Sequence, residues 1–127
     1  MRFLLVTIFL NFCLYSCSQK DSDYYILKVK LLKNEMYPPG CGVLALALTQ
    51  KFEIMESNFV PLKLKNNILL HQPCPEFLGN DFFITNKMYK VKVTKKSGAS
   101  FEYIIFNNYE KENLPTYWIQ EIEIINN

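Results

Sequence analysis

Four side chains in this sequence combine reactive chemistry with suggestive spacing: Cys41, His71, Cys74 and Glu76. Of the four cysteines, Cys13 and Cys17 belong to the N-terminal segment expected to be cleaved and lipidated, which leaves these two thiols, and they admit two readings. In an exported domain an even pair of cysteines most often forms a disulfide. Both lie in turn-rich surroundings, Pro38-Pro39-Gly40-Cys41-Gly42 and Gln72-Pro73-Cys74-Pro75, one at the start of an apolar segment and one at the end of another. If those segments are adjacent antiparallel strands, the two ends meet, as the short reach of the bond requires. The alternative is a metal or thiol-active site. His71 and Cys74 are three residues apart, and Cys41 and Glu76 would complete a set of four ligands suited to zinc or copper. Against it, there is no second histidine and no Cys-x-x-Cys pair. The bridge is the expected state, and no cofactor is expected.

Catalysis finds little else to work with. Nucleophilic mechanisms need a nucleophile, a base and an orienting group within hydrogen-bond reach, and His71 is the sole imidazole. A single histidine at the end of an apolar strand reads more simply as a structural residue. No Gly-x-Ser-x-Gly, Walker-type loop or His-Glu-x-x-His is present. Glu121 and Glu123 share the wet face of a strand; Asp81 and Glu76 could line a cleft, as any two carboxylates can. An enzyme is not expected. The segment with binding character is 107–118, which mixes charges with Tyr109, Tyr117 and the only tryptophan, Trp118. Aromatic side chains on loops are enriched at interfaces; the competing reading is that Tyr117 and Trp118 plug the end of the domain.

The elements that must position these groups are strands. Alternation of period two runs through 24–33, with Leu27, Val29 and Leu31 opposite Lys28 and Lys30, and through 89–94, with Tyr89, Val91 and Val93 opposite Lys90, Lys92 and Thr94. Near the C-terminus Trp118, Ile122 and Ile124 fall on one face against Glu121 and Glu123. In 42–54, Leu44, Leu46, Leu48, Phe52 and Ile54 oppose Ala45 and Ala47, with no charge before Lys51. A strand apolar on both faces is central or curled into a barrel. A helix over 44–55 competes, since alanine and leucine favour one, but Gly42, Val43 and the strict alternation favour a strand. Segments 67–71 and 101–107 add apolar strands, and 75–83 reads as a short helical turn started by Pro75 and ended by Gly79.

The order is strand, long strand, strand, helical turn, strand, strand, with an extra strand at the C-terminus. It resembles the small OB-type barrel, with a helical element between the third and fourth strands. The expectation is a mainly β domain over 24–127, a five- to six-stranded OB-like barrel with one helical turn; a β-sandwich is the alternative.

The first seventeen residues read differently. Arg2 precedes a twelve-residue apolar run, 3–14, broken by Thr7 and Asn11. As a helix it spans about 18 Å, too short for a bilayer core of about 30 Å, which is the shape of a cleaved secretory signal. An N-terminal strand or buried helix is the plainer alternative, but the abrupt polarity of 19–23 breaks any continuity. Leu14-Tyr15-Ser16-Cys17 resembles the lipobox of bacterial lipoproteins, although Tyr15 is bulkier than usual. The resemblance implies a diacylglycerol on the Cys17 thiol, cleavage before Cys17 and an acylated new N-terminus. Two or three acyl chains make a stable anchor where one would be marginal. Cleavage without lipid fits Leu14 poorly. Residues 1–16 are then signal, and 17–23 a lipidated tether. Ser18 does not match the aspartate that retains similar lipoproteins in the inner membrane. Lys20-Asp21-Ser22-Asp23 resembles surface-export signals of some Bacteroidota lipoproteins.

Composition sets the remaining bounds. Half of the 127 residues are apolar and 15% aromatic, enough for a packed core. Arg2 is the one charged residue before Cys17, so the rest carries 13 basic against 12 acidic groups, no footprint for nucleic acid. The expected protein is a lipid-anchored module of the bacterial envelope, on the periplasmic or outer face of the outer membrane. It would bind a protein or glycan or play a structural role; the alternative is metal handling or thiol activity through Cys41, His71 and Cys74. Nothing in the sequence fixes the oligomeric state.

Overall fold

The computed structural model describes residues 24–35, 41–42, 44–58, 62 and 66–126. Cys17, and with it the expected signal and tether, lies outside the described residues, as does the Pro38-Pro39-Gly40 turn. The elements are β1 (Tyr24–Leu31), β2 (Leu46–Ser57), β3 (Asn67–Pro73), a 3-10 turn (Pro75–Leu78), β4 (Met88–Thr94), β5 (Ile104–Phe106) and β6 (Thr116–Ile124). No described helix is long and apolar enough to cross a membrane.

Five strands close on themselves. β1 pairs antiparallel with both β2 and β4, β4 with β6 and β2 with β3, and a parallel pairing of β3 with β6 completes the circuit. This is the expected OB-like barrel, and closure removes the sheet edges a sandwich would have to protect. The alternation of β1 and β4 sends Leu27, Val29, Leu31, Tyr89, Val91 and Val93 inward, all almost fully buried. From β2 and β3 come Phe52, Ile54, Ile68 and Leu70.

β2 is a strand rather than a helix because it serves two neighbours along one edge. Residues 52–57 lie beside β1, and residues 46–48 lie beside β5. Both of its faces are buried over the first half, Leu46 and Leu48 on one, Ala47 and Thr49 on the other. The run without charge thus reflects a strand covered on both sides.

Two expectations need correction. The supernumerary strand is β5, not the C-terminal one: β6 closes the barrel, while Ile104, Ile105 and Phe106 are all exposed. β6 takes the wall position because it pairs with both β4 and β3, whereas β5 pairs with β2 alone. The second correction concerns β6. Its register against β4 shifts by one residue, Val93 facing Ile119 and Lys92 facing Glu121, so that Gln120 is extra. A bulge of this kind reverses the facing of the residues before it. Tyr117 and Ile119 therefore point inward with Ile122 and Ile124, and Trp118 does not.

The rim at which β2 starts and β3 ends is sealed by aromatic rings. Phe82, Phe83 and Tyr89 pack mutually with centroids 5.1–5.8 Å apart. The Tyr89 hydroxyl donates to the Phe82 carbonyl at 2.6 Å and accepts the Ile84 N–H at 2.8 Å. Outside, the wall carries a ladder of charge. Lys28 and Lys30 of β1 face Glu56 and Glu53 of β2, while Lys90 and Lys92 of β4 face Glu123 and Glu121 of β6. All four pairs stand at 3.9–4.0 Å; such exposed pairs contribute little stability each but keep the wall soluble.

Candidate functional site

The two thiols come together as one group. Cys41 precedes β2 and Cys74 follows β3, and the antiparallel β2–β3 pairing brings their Cα atoms to 5.4 Å, with the sulfurs bonded. The Cys74 backbone is left-handed, φ 44°, between two prolines. A residue with a side chain held there stores about 1–3 kcal/mol; the disulfide and a 2.9 Å bond from the Cys74 N–H to the Leu46 carbonyl hold it. Glu76, in the first turn after Pro75, accepts the Cys41 N–H at 2.5 Å. Ligand atoms of Cys41, Cys74 and Glu76 thus lie within 4.8 Å of one another, but the sulfurs are spent on each other.

His71 does not join them. It is buried on the outer side of β3, with Nδ1 2.7 Å from the Thr49 hydroxyl and its ring 4.7 Å from that of Trp118. Burial holds its pKa below the ordinary imidazole value. Trp118 in turn stacks on Tyr103 at 5.3 Å, and Tyr103 on Phe101 at 5.1 Å. A file of four rings therefore runs across the outside of β3 and β6.

The three aromatic residues singled out in 107–118 do not share a surface. Tyr117 is a core residue, edge-on to Tyr25 at 5.9 Å, and burial pushes its hydroxyl pKa up, with Tyr25 adding to the shift. Trp118 stands half-buried on the opposite face of β6. Tyr109 donates its hydroxyl to Glu35, and Asn108 Nδ2 donates to the other oxygen of the same buried group at 3.1 Å. Lys51 of β2 clasps Glu112 at 2.7 Å and lies 5.7 Å from the Tyr109 ring centroid. The segment is a strap tied to the barrel wall at both ends.

Two features the sequence did not flag remain open to solvent. The first is β5. One edge pairs with β2, its three side chains are 48, 40 and 41% exposed, and Leu44 and Phe101 next to it in the chain fold are also exposed. Beside it an open groove of about 550 Å³ is lined by Phe101, Tyr103, Ile105 and Trp118. The only sequence signal was the lack of alternation in 104–106. The second is a larger groove of about 780 Å³ where β1 starts and β4 ends, lined by Tyr24, Lys92, Lys95, Lys96, Gln120 and Glu121, and it adjoins the first at Lys96 and Gly98. Its sequence signal was the Lys-Lys-Ser-Gly turn after β4, which alternation does not register.

No protein family, curated protein or solved structure matches this chain.

Proposed function

We propose that the protein is a lipid-anchored module of the bacterial envelope that binds another protein through β5 and the aromatic groove beside it. The observation that carries this reading is the exposed apolar strand Ile104–Phe106 on an otherwise closed barrel. An unpaired, apolar edge is a template for an added strand and a hazard unless something uses it. The position supports the reading. β1 begins at Tyr24, seven residues after Cys17, and at the rim where β4 ends. β5 pairs with the start of β2, at the opposite rim. A tether at the first rim would leave Ile104–Phe106 beside the start of β2, at the far end of the wall, while the groove beside them runs back to Lys96. The test uses intact cells that make the protein. Labelled palmitate should enter the wild type and not a Cys17→Ala variant, and a photo-crosslinker at position 105 should capture a discrete partner that one at Lys28 does not. A chain that takes up no palmitate, or a position 105 that crosslinks no better than position 28, overturns the reading.

Metal handling through Cys41, His71 and Cys74 has less support, since the thiols are bonded to each other and His71 is engaged by Thr49.

A further inference from the structure

We propose that the groove beside Tyr24 is a docking face for anionic phospholipid headgroups of the membrane holding the chain's own lipid. The inference rests on the lipid-anchor reading and adds an orientation to it. The groove lies where the chain leaves the tether: Tyr24 opens β1 and pairs with Thr94, the last residue of β4, immediately before Lys95 and Lys96. The groove is therefore bounded on one side by the first residue of the barrel and on the other by an exposed lysine pair.

Its charge is one-sided. Three lysines, 92, 95 and 96, face one glutamate, Glu121. Lys92 is balanced by Glu121 at 3.9 Å and lies 4.2 Å over the Tyr24 ring. Lys95, 5.3 Å from the Tyr117 ring centroid, and Lys96 form no ion pair among the described residues. Elsewhere on the wall the lysines of β1 and β4 each face a glutamate across the strand, whereas Lys95 and Lys96 stand at the rim next to a tether that carries Lys20, Asp21 and Asp23. Tyr24 is 42% exposed at the same place, an amphipathic ring of the kind enriched at headgroup depth.

Reach decides the occupant. Seven residues from Cys17 to Tyr24 extend at most about 25 Å, and attraction between exposed charges and a lipid surface fades over about 8 Å at physiological salt. A barrel on so short a lead comes repeatedly within that distance of the bilayer with this rim foremost. An anionic headgroup then offers Lys95 and Lys96 a counter-charge delivered at high effective concentration by the chain's own anchor.

The experiment takes the lipidated protein, purified in mild detergent, and reconstitutes it into vesicles of phosphatidylcholine alone or with phosphatidylglycerol added. Flotation with the neutral vesicles reads the anchor by itself. A membrane-impermeant amine-acylating reagent, with the modified lysines identified by mass spectrometry, reads the docking. Lys95 and Lys96 should be modified several-fold less in the anionic vesicles than in the neutral ones, and high salt should restore their modification. Lys87, at the far rim just before β4, should react equally in both. Equal modification of Lys95 and Lys96 in the two compositions, whether high or low, overturns the docking while flotation leaves the anchor standing. Failure to float overturns the anchor, and the docking with it.

Discussion

Glu35, buried just past the end of β1, accepts the hydroxyl of Tyr109 across 74 residues of chain. Together with the Lys51–Glu112 pair, this bond ties the 107–113 segment to the barrel. A buried acid that loses a hydrogen-bond donor costs roughly 1–3 kcal/mol. Tyr109→Phe should lower the free energy of unfolding by that amount in urea titrations. In a Glu35→Ala background the same substitution should cost at least about 1 kcal/mol less. Equal cost in both backgrounds would show that the two residues do not act together.

The same contact makes a pH prediction. Burial, the bond to Glu35 and the nearby carboxylates of Glu35 and Glu112 push the Tyr109 hydroxyl above its ordinary value of 10.0. The folded chain therefore holds this proton to higher pH than the unfolded chain. Stability contributed this way is complete below pH 10 and declines as pH rises beyond it. Unfolding free energies measured upward from pH 9 should fall more steeply for the wild type than for Tyr109→Phe; parallel curves would refute the assignment.

His71 predicts the opposite slope at the other end of the scale. Its pKa lies below the ordinary 6.5 because the ring is desolvated. The unfolded chain then binds a proton at a pH where the folded chain does not, and stability is lost as pH falls below 6.5. His71→Gln should remove that component. Proton NMR of the imidazole should show a midpoint below 6.5, and a midpoint at or above it would contradict the burial beneath Trp118.

These contacts show which parts of the molecule the sequence could disclose. β1 and β4 were legible because a half-buried strand writes its two faces as alternation, and neither is interrupted on its inner face. The Cys41–Cys74 pairing followed from an even pair of thiols in an exported domain together with the strand order that brings them side by side. β6 was misread at a single residue: the bulge at Gln120 inverts the facing of everything before it. Tyr117 therefore went to the core while Trp118 joined the ring file on the outside. A bulge is a property of two strands in register, and one strand's pattern cannot reveal it. β5 was read as ordinary wall because apolarity alone does not say whether a face is covered. The Glu35–Tyr109 bond joins residues too distant in sequence for any local pattern to link them.

The disulfide closes a loop spanning 33 residues. In the chain-entropy account, opening it should cost roughly 3–4 kcal/mol, less any native strain relieved. Some relief is expected at Cys74, whose left-handed backbone is then no longer fixed by the bridge. Cys41→Ser and the Cys41→Ser/Cys74→Ser double variant should show similar losses in denaturant titrations. Reductant should bring the wild type to the same level without affecting either variant. If the double variant is as stable as the oxidised wild type, the bridge does not constrain the unfolded chain.

Ile105 offers the sharpest separation of folding from binding. Its side chain is 40% exposed on a three-residue strand that lies outside the closed circuit. Introducing a lysine there places a charge where natural edges carry one to discourage strand pairing. Because this side chain is exposed and outside the closed barrel, Ile105→Lys should change the unfolding free energy by no more than about 0.5 kcal/mol. The partner captured from position 105 should be lost when the variant carries its crosslinker at the adjacent Phe106 instead, whereas Phe106 on the wild-type strand should still capture it. Ile119→Lys, on the buried inner face of β6, should do the reverse and unfold the domain outright. If Ile105→Lys destabilises the fold as severely as Ile119→Lys, β5 is part of the core's support rather than a surface kept for a second chain.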